Sequence, residues 1–225
     1  MTVANTASAV VWMALIAALL FVPAGTLAWP EGWVFFAEMM GGAALVTWWL
    51  AVHDPALLKE RMGGAFQKGQ SFADKVFMSF MMIAWYGWLV LMALDAKRWR
   101  VSHMPVALNT IGAALIALGF VIVWRVFREN SFAAPVIRIQ TERGQHVIDT
   151  GPYAIVRHPM YSGAGIFMLG MPLLLGSWGG LLALPAIFAA LIVRIFIEEA
   201  ALRQGIAGYG AYTERVRRRL IPGVW

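Results

Sequence analysis

The chain contains no cysteine. That excludes disulfides, thiol catalysis, iron–sulfur clusters and thiolate metal sites. Histidine is scarce too. His53, His103, His146 and His158 lie far apart, and none has a histidine partner at the i,i+4 spacing of a helical metal site. No metal cofactor is expected. Charge is sparse, at 13% of residues, while 60% are hydrophobic, far above the share in a soluble domain. Long uncharged runs, not one large core, must account for the excess. The net charge of +6 does not point to a nucleic-acid partner. The basic residues cluster at the ends of apolar runs, as lipid headgroup contacts and topology signals do.

Six apolar runs follow one another: 8–29, 34–52, 76–94, 104–124, 160–176 and 178–193. The last two are near the lower length limit for spanning. The expected fold is an all-α integral membrane protein of five to six transmembrane helices. Residues 1–128 read as an N-terminal transmembrane part. Residues 129–225 read as a catalytic part, made of a loop, a helical hairpin joined at Ser177, and a basic amphipathic helix as the tail. Asp54-Pro55 reads as the cap and first residue of a short interfacial helix. Glu38, an acid within the second run, is a functional candidate of ambiguous depth. Lys and Arg concentrate in 53–75, 125–157 and 203–219, whereas the other side holds Lys97, Arg98 and Arg100. This asymmetry predicts cytoplasmic termini and a cytoplasmic site.

Two features stand out from the apolar background. The first runs from Gly151 to Gly165 and crowds Tyr153, Arg157, His158, Pro159 and Tyr161 together. Pro152 and Pro159 predict a shaped turn that enters a helix at Pro159. Such an entrance offers free N–H groups to an anionic ligand group. Gly163 and Gly165, one turn in, would let a flat ligand approach the backbone. The second feature is Arg194, Glu198 and Glu199, closing an otherwise apolar helix. Arg194 and Glu198 share a face, and Glu199 and Arg203 repeat that spacing, so intrahelical ion pairs are the plain alternative. The hairpin should bring the two features together. A ligand fitting both would carry an ammonium, a carboxylate and a flat ring, as S-adenosylmethionine does. The carboxylates would take its amino group, and the basic helix entrance its carboxylate. Arg194 would hold an acceptor anion. For an amine acceptor, Glu198 or Glu199 would help remove a proton. Apolar walls would admit a lipophilic or lipid acceptor from the membrane.

The residues Gly151-Pro152-Tyr153, Val156-Arg157-His158-Pro159-Met160-Tyr161-Ser162-Gly163, Arg194, Glu198-Glu199, Leu202, Tyr209, Tyr212 and Leu220-Ile221-Pro222 resemble the isoprenylcysteine carboxyl methyltransferase family. They also resemble the phospholipid N-methyltransferases of the same membrane superfamily, whose Gly-x-Gly is similar to Gly163-Ala164-Gly165. The likeness covers about residues 131–225. It implies a membrane-embedded enzyme using S-adenosylmethionine, with cofactor contacts from Tyr153, His158, Tyr161, Glu198 and Glu199. It leaves the acceptor open, with carboxylate O-methylation favoured and N-methylation of a lipid amine the alternative. Two other classes compete. A sterol-type membrane reductase shares an Arg-His-Pro-like turn, but it needs cations for the extra nicotinamide-cofactor phosphate, and Glu198-Glu199 argue against that. A non-enzymatic membrane scaffold would make every polar residue an interface anchor.

Overall fold

A computed structural model describes residues 3–64, 66, 70 and 72–225. Among these residues there are helices and turns but no strand. The helices are α1 (Val3–Ala24), α2 (Pro30–His53), α3 (Pro55–Met62), α4 (Phe72–Ala93), α5 (Val106–Glu129), α6 (Pro159–Leu175), α7 (Trp178–Gly205) and α8 (Tyr209–Arg215). Among the described residues, four stretches are long and apolar enough to cross a membrane: Pro30–His53, Asp74–Arg98, Val106–Glu129 and Trp178–Gly205. The shorter apolar helices Ala9–Ala24 and Pro159–Leu175 accompany them. The all-helical, multi-pass architecture is the one expected.

Local chemistry sets the helix ends. Pro55 opens α3, and the Asp54 carboxylate accepts from Leu57 N at 2.9 Å, as the cap-and-proline signal predicts. Pro159 opens α6, with His158 at the cap position. Gly176 ends α6 in the left-handed region, at φ 78°. Ser177 then caps α7 by accepting from Gly180 N at 2.8 Å. Two residues therefore turn the hairpin. Pro172 interrupts the bonding inside α6. Asn109 of α5 donates to the carbonyls of Leu173 and Leu174, at 2.9 and 3.1 Å, where the helix ends. On the same membrane face, Asp95 accepts from Ser102 Oγ, Ser177 Oγ and Gly179 N at 2.6–2.9 Å, which ties the end of α4 to the hairpin turn.

The most extensive helix pair is α5 with α6. Glycines let the two backbones touch. A Cβ on Gly112 would stand 2.3 Å from Leu174 N, and one on Gly163 would stand 2.9 Å from the Ile122 side chain. This corrects the reading of Gly163 and Gly165 as ligand-facing. Gly163 faces α5, and Gly165 faces the Phe188 ring of α7 at 3.0 Å. Their missing side chains serve helix packing, because a membrane offers little hydrophobic drive between helices and close approach must supply it.

The last hairpin helix runs unbroken for 28 residues and carries Arg194, Glu198 and Glu199 toward its end, as expected. At 1.5 Å per residue that is roughly 42 Å, against a hydrocarbon core of about 30 Å. One further expectation needs correction: the tail is not one amphipathic helix. The α8 helix ends at Arg215, and the following residues form a non-helical strap folded back onto the helix entrance. The backbone N–H groups of Arg157 and His158 need acceptors, and the strap supplies them.

Candidate active site

The turn at Gly151–Ala154 sits at the end of α5, where Asn130 Nδ2 donates to the Tyr153 hydroxyl at 2.7 Å. The Tyr212 hydroxyl of α8 donates to the Tyr153 carbonyl at 2.9 Å. Burial pushes the phenols of Tyr153, Tyr209 and Tyr212 above their ordinary range. All three therefore stay neutral donors at physiological pH.

Beyond the turn, Arg157 and His158 are both buried. Their backbone N–H groups donate to the carbonyls of Arg218 and Arg219, each at 2.9 Å. Arg157 Nη1 also donates to the carbonyls of Val216 and Arg217, and Ser162 Oγ donates to the Leu220 carbonyl at 2.6 Å. The strap is thus held by main-chain and side-chain bonds to the start of α6.

The paired acids have different surroundings. Glu199 is enclosed by cations and an imidazole. Arg157 Nε donates to Oε1 at 2.7 Å, Arg219 Nη2 lies 3.1 Å from Oε2, and His158 Nε2 lies 3.2 Å from Oε1. Three partners leave Glu199 little capacity for a ligand ammonium, which corrects the expectation for that residue. Glu198 has one hydrogen-bond partner among the described residues, the Tyr161 hydroxyl, which donates to Oε2 at 2.5 Å. Glu198 is half-buried and lines the cleft.

Arg194 does not pair with Glu198 along the helix. Its Nη1 meets Asp74 Oδ1 at 3.0 Å, Nη2 donates to the Pro135 carbonyl at 2.7 Å, and Nε donates to the Tyr161 hydroxyl at 2.9 Å. Nor does Arg203 pair with Glu199; it donates to Thr213 Oγ1 at 3.1 Å. The intrahelical pairs that the spacing permits yield to partners on other elements, because a fixed tertiary acceptor desolvated beside the cation outweighs a flexible, hydrated neighbour.

Most of these groups open onto one cleft. Loop residues between Asn130 and Ile148 form one wall. The others come from Tyr153, Arg157, His158 and Tyr161, from Arg194 and Glu198, and from Tyr209 and Tyr212. Pro159, Gly163, Gly165 and Glu199 do not line it. The loop wall is anchored by α3. Arg61 Nη1 donates to the Ala133 carbonyl at 2.9 Å, and burial lowers its pKa to about 10. Arg138 lies 2.8 Å from both Glu60 and Glu142, and the bond to Glu60 does most to raise its pKa. Among the described residues, no group of His, Asp and Glu could hold a metal ion.

Residues 108–207 match the phospholipid methyltransferase family. This segment is similar to a phospholipid methyltransferase domain. That family is part of the membrane methyltransferase superfamily that also includes isoprenylcysteine carboxyl methyltransferases. No curated protein and no solved structure matches the chain. The matched segment begins within α5 and ends before α8, so it is centred further upstream than the likeness read from the sequence. It spans the glycine-packed α5–α6 pair, the helix entrance and the Glu198-Glu199 end of α7.

Several residues of the site carry no role in the sequence reading. Asp74 is one, and its signal was available as an acid in the first turn of an apolar span. Asn130 and Arg219 are two more, and neither has a local pattern to mark it. Tyr209 belongs to the quoted motif without an assigned task. Its hydroxyl is buried and has no partner among the described residues. A buried phenol without an acceptor costs stability unless something else meets it.

Proposed function

We propose that the protein is an integral-membrane methyltransferase that uses S-adenosylmethionine and methylates the amine headgroup of a membrane lipid. The asymmetry of Lys and Arg supports a cytoplasmic cleft and cytoplasmic termini. The observation that carries this reading is the contrast between the adjacent acids. Glu199 is enclosed by Arg157, His158 and Arg219, while Glu198, held by Tyr161, is the one acid among the described residues that lines the cleft.

The residues present fit the cofactor. Glu198 would take its ammonium group, Tyr161 fixes the carboxylate, and the partnerless Tyr209 hydroxyl offers one hydrogen bond. Tyr153, His158 and Tyr212 give the cleft flat and apolar surface. Bound there, S-adenosylmethionine supplies a methyl group on a positively charged sulfur. The protein's part is to align the acceptor and exclude water, and alignment of this kind supplies about 7–11 kcal/mol in well-oriented reactions.

The choice of acceptor follows from the cations. Sequence reasoning favoured a carboxylate held by Arg194. Every arginine lining the cleft already has a protein anion: Arg138 has Glu60 and Glu142, Arg157 has Glu199, and Arg194 has Asp74. An acceptor carboxylate would compete with these pairs. A neutral amine needs no counter-cation: once its ammonium has given a proton to water, the nitrogen lone pair takes the methyl group and the positive charge passes from sulfur to nitrogen.

Two measurements test the proposal. Calorimetry of purified protein should show cofactor binding that Glu198→Ala removes with the helical content intact. Undiminished affinity in that variant refutes the site. Incubation of lipid extract with labelled cofactor should give a product whose headgroup amine carries the label. Label recovered as a methyl ester would instead support the carboxylate acceptor.

A further inference from the structure

A second concavity lies outside the cleft, near the same membrane face. Leu45, Trp48 and Trp49 of α2 and Phe120, Val121 and Trp124 of α5 line it, with no charged side chain among its lining residues. Leu45, Trp48 and Val121 are 67%, 62% and 48% exposed, so the groove opens sideways to hydrocarbon. An apolar groove in a membrane protein is unremarkable alone. Its rim says what occupies it.

At that rim, His53 stacks on Trp49 with ring centroids 4.8 Å apart and planes 6° apart. Trp49 meets Trp124 edge to face at 6.3 Å. The Arg128 guanidinium lies 4.9 Å over the Trp124 ring. Arg125 and Arg128 are exposed and, among the described residues, have neither an acidic partner nor a hydrogen-bond acceptor. Glu129, the nearest acid in sequence, instead accepts from Thr150 Oγ1. By contrast, Arg61, Arg138, Arg143, Arg157 and Arg194 each have a protein acceptor. From Val121 to Arg128 the helix rises roughly 10 Å, away from the groove floor and toward the membrane surface. Two cations without protein acceptors therefore stand at the end of an aromatic trough open to lipid.

We propose that this groove binds one anionic phospholipid. An acyl chain lies along Leu45, Trp48 and Val121, and the phosphate sits against Arg125 and Arg128. Charge selects the headgroup, since the cations that attract a phosphate repel the ammonium of a zwitterionic lipid. The chain requirement selects a lipid over free phosphate. Trp49 also packs on the apolar cluster that includes Tyr153 and Met160, which puts this lipid one layer of side chains behind the cleft. The site does not depend on methyl transfer and is distinct from any acceptor position.

Native mass spectrometry of the full chain tests it, with dioleoylphosphatidylglycerol and dioleoylphosphatidylcholine titrated separately. Wild type should retain one phosphatidylglycerol and hold phosphatidylcholine about tenfold more weakly. The double variant Arg125→Gln/Arg128→Gln should lose that preference. Val121→Trp, which fills the trough, should lose both lipids. Equal retention of the two lipids by wild type overturns the proposal, as does wild-type retention in both variants. A dimer that Val121→Trp dissociates would also overturn it, because a second copy would then fill the groove. The glutamine substitutions lie at exposed positions and decide the matter if Val121→Trp does not fold.

Discussion

Tyr161 and Glu198, thirty-seven residues apart, meet through a 2.5 Å hydrogen bond from phenol to carboxylate. The same phenol oxygen accepts from Arg194 Nε at 2.9 Å, so it links an arginine tied to Asp74 with the acid that faces the cleft. Tyr161→Phe removes that link. It should lower methyl transfer by roughly tenfold or more. It should also cost about 1–3 kcal/mol of stability, because the Arg194 Nε–H is left buried without an acceptor. Paired assays of turnover and thermal midpoint check both effects, and unchanged turnover would exclude a positioning role for Tyr161.

The adjacent acids should respond differently to the same substitution. Glu199→Gln leaves Arg157, Arg219 and His158 around an uncharged amide, and breaking a buried pair of this kind costs about 3–5 kcal/mol. The strap should loosen, and limited proteolysis among Arg217, Arg218 and Arg219 should accelerate. Glu198→Gln should leave proteolysis and melting near wild type while weakening cofactor binding. Equal destabilisation by both variants would contradict this division of labour.

Two glycines should give opposite signs. A Cβ at Gly112 would meet backbone atoms of Leu174 and Gly170 that cannot swing aside, so Gly112→Ala should destabilise by about 1–3 kcal/mol. A Cβ at Gly41 of α2 meets nothing within 4 Å. Gly41→Ala should be neutral or stabilise by roughly 0.5–1 kcal/mol, the helix preference of alanine over glycine. Melting in one detergent compares them directly.

Alkaline stability should fall for a specific reason. Burial raises the phenols of Tyr153, Tyr209 and Tyr212. In the unfolded chain they ionise at about pH 10. Above that pH the unfolded state loses protons that the folded state keeps. Their contribution is therefore complete below about pH 10 and is lost as pH climbs toward the folded values. The melting midpoint and tyrosinate absorbance, followed together, should show the drop preceding ionisation in the native protein. Phenols that ionise like free tyrosine without loss of stability would contradict it.

How much of this was legible before the structure depends on range. The helix entrance at Pro159, the cap at Asp54 and the hairpin at Gly176-Ser177 were readable, because each depends on residues within a turn of one another. That His158 and the Glu198-Glu199 pair lie together was readable from hairpin topology. Which acid faces the cleft was not. It is decided by Arg157 and Arg219, which reach Glu199 from elements before and after it in the chain. Gly163 and Gly165 were misread because a glycine that admits a ligand and one that admits a neighbouring helix look alike in sequence. The partner of Arg194 was hidden for a related reason: Asp74 lies 120 residues away, and only the packing of α4 on α7 brings it there.

The strap carries a consequence for biosynthesis. The peptide N–H groups of Arg157 and His158 are satisfied by carbonyls made some sixty residues later. While the ribosome is still producing α7, these groups and the Arg157 guanidinium can be met only by water, lipid phosphates or the translocation machinery. The pocket cannot mature alongside its helices as they insert. It closes only after Arg218 and Arg219 have been made, so a nascent chain stalled before Arg218 would carry its helices yet lack the strap that completes the helix entrance.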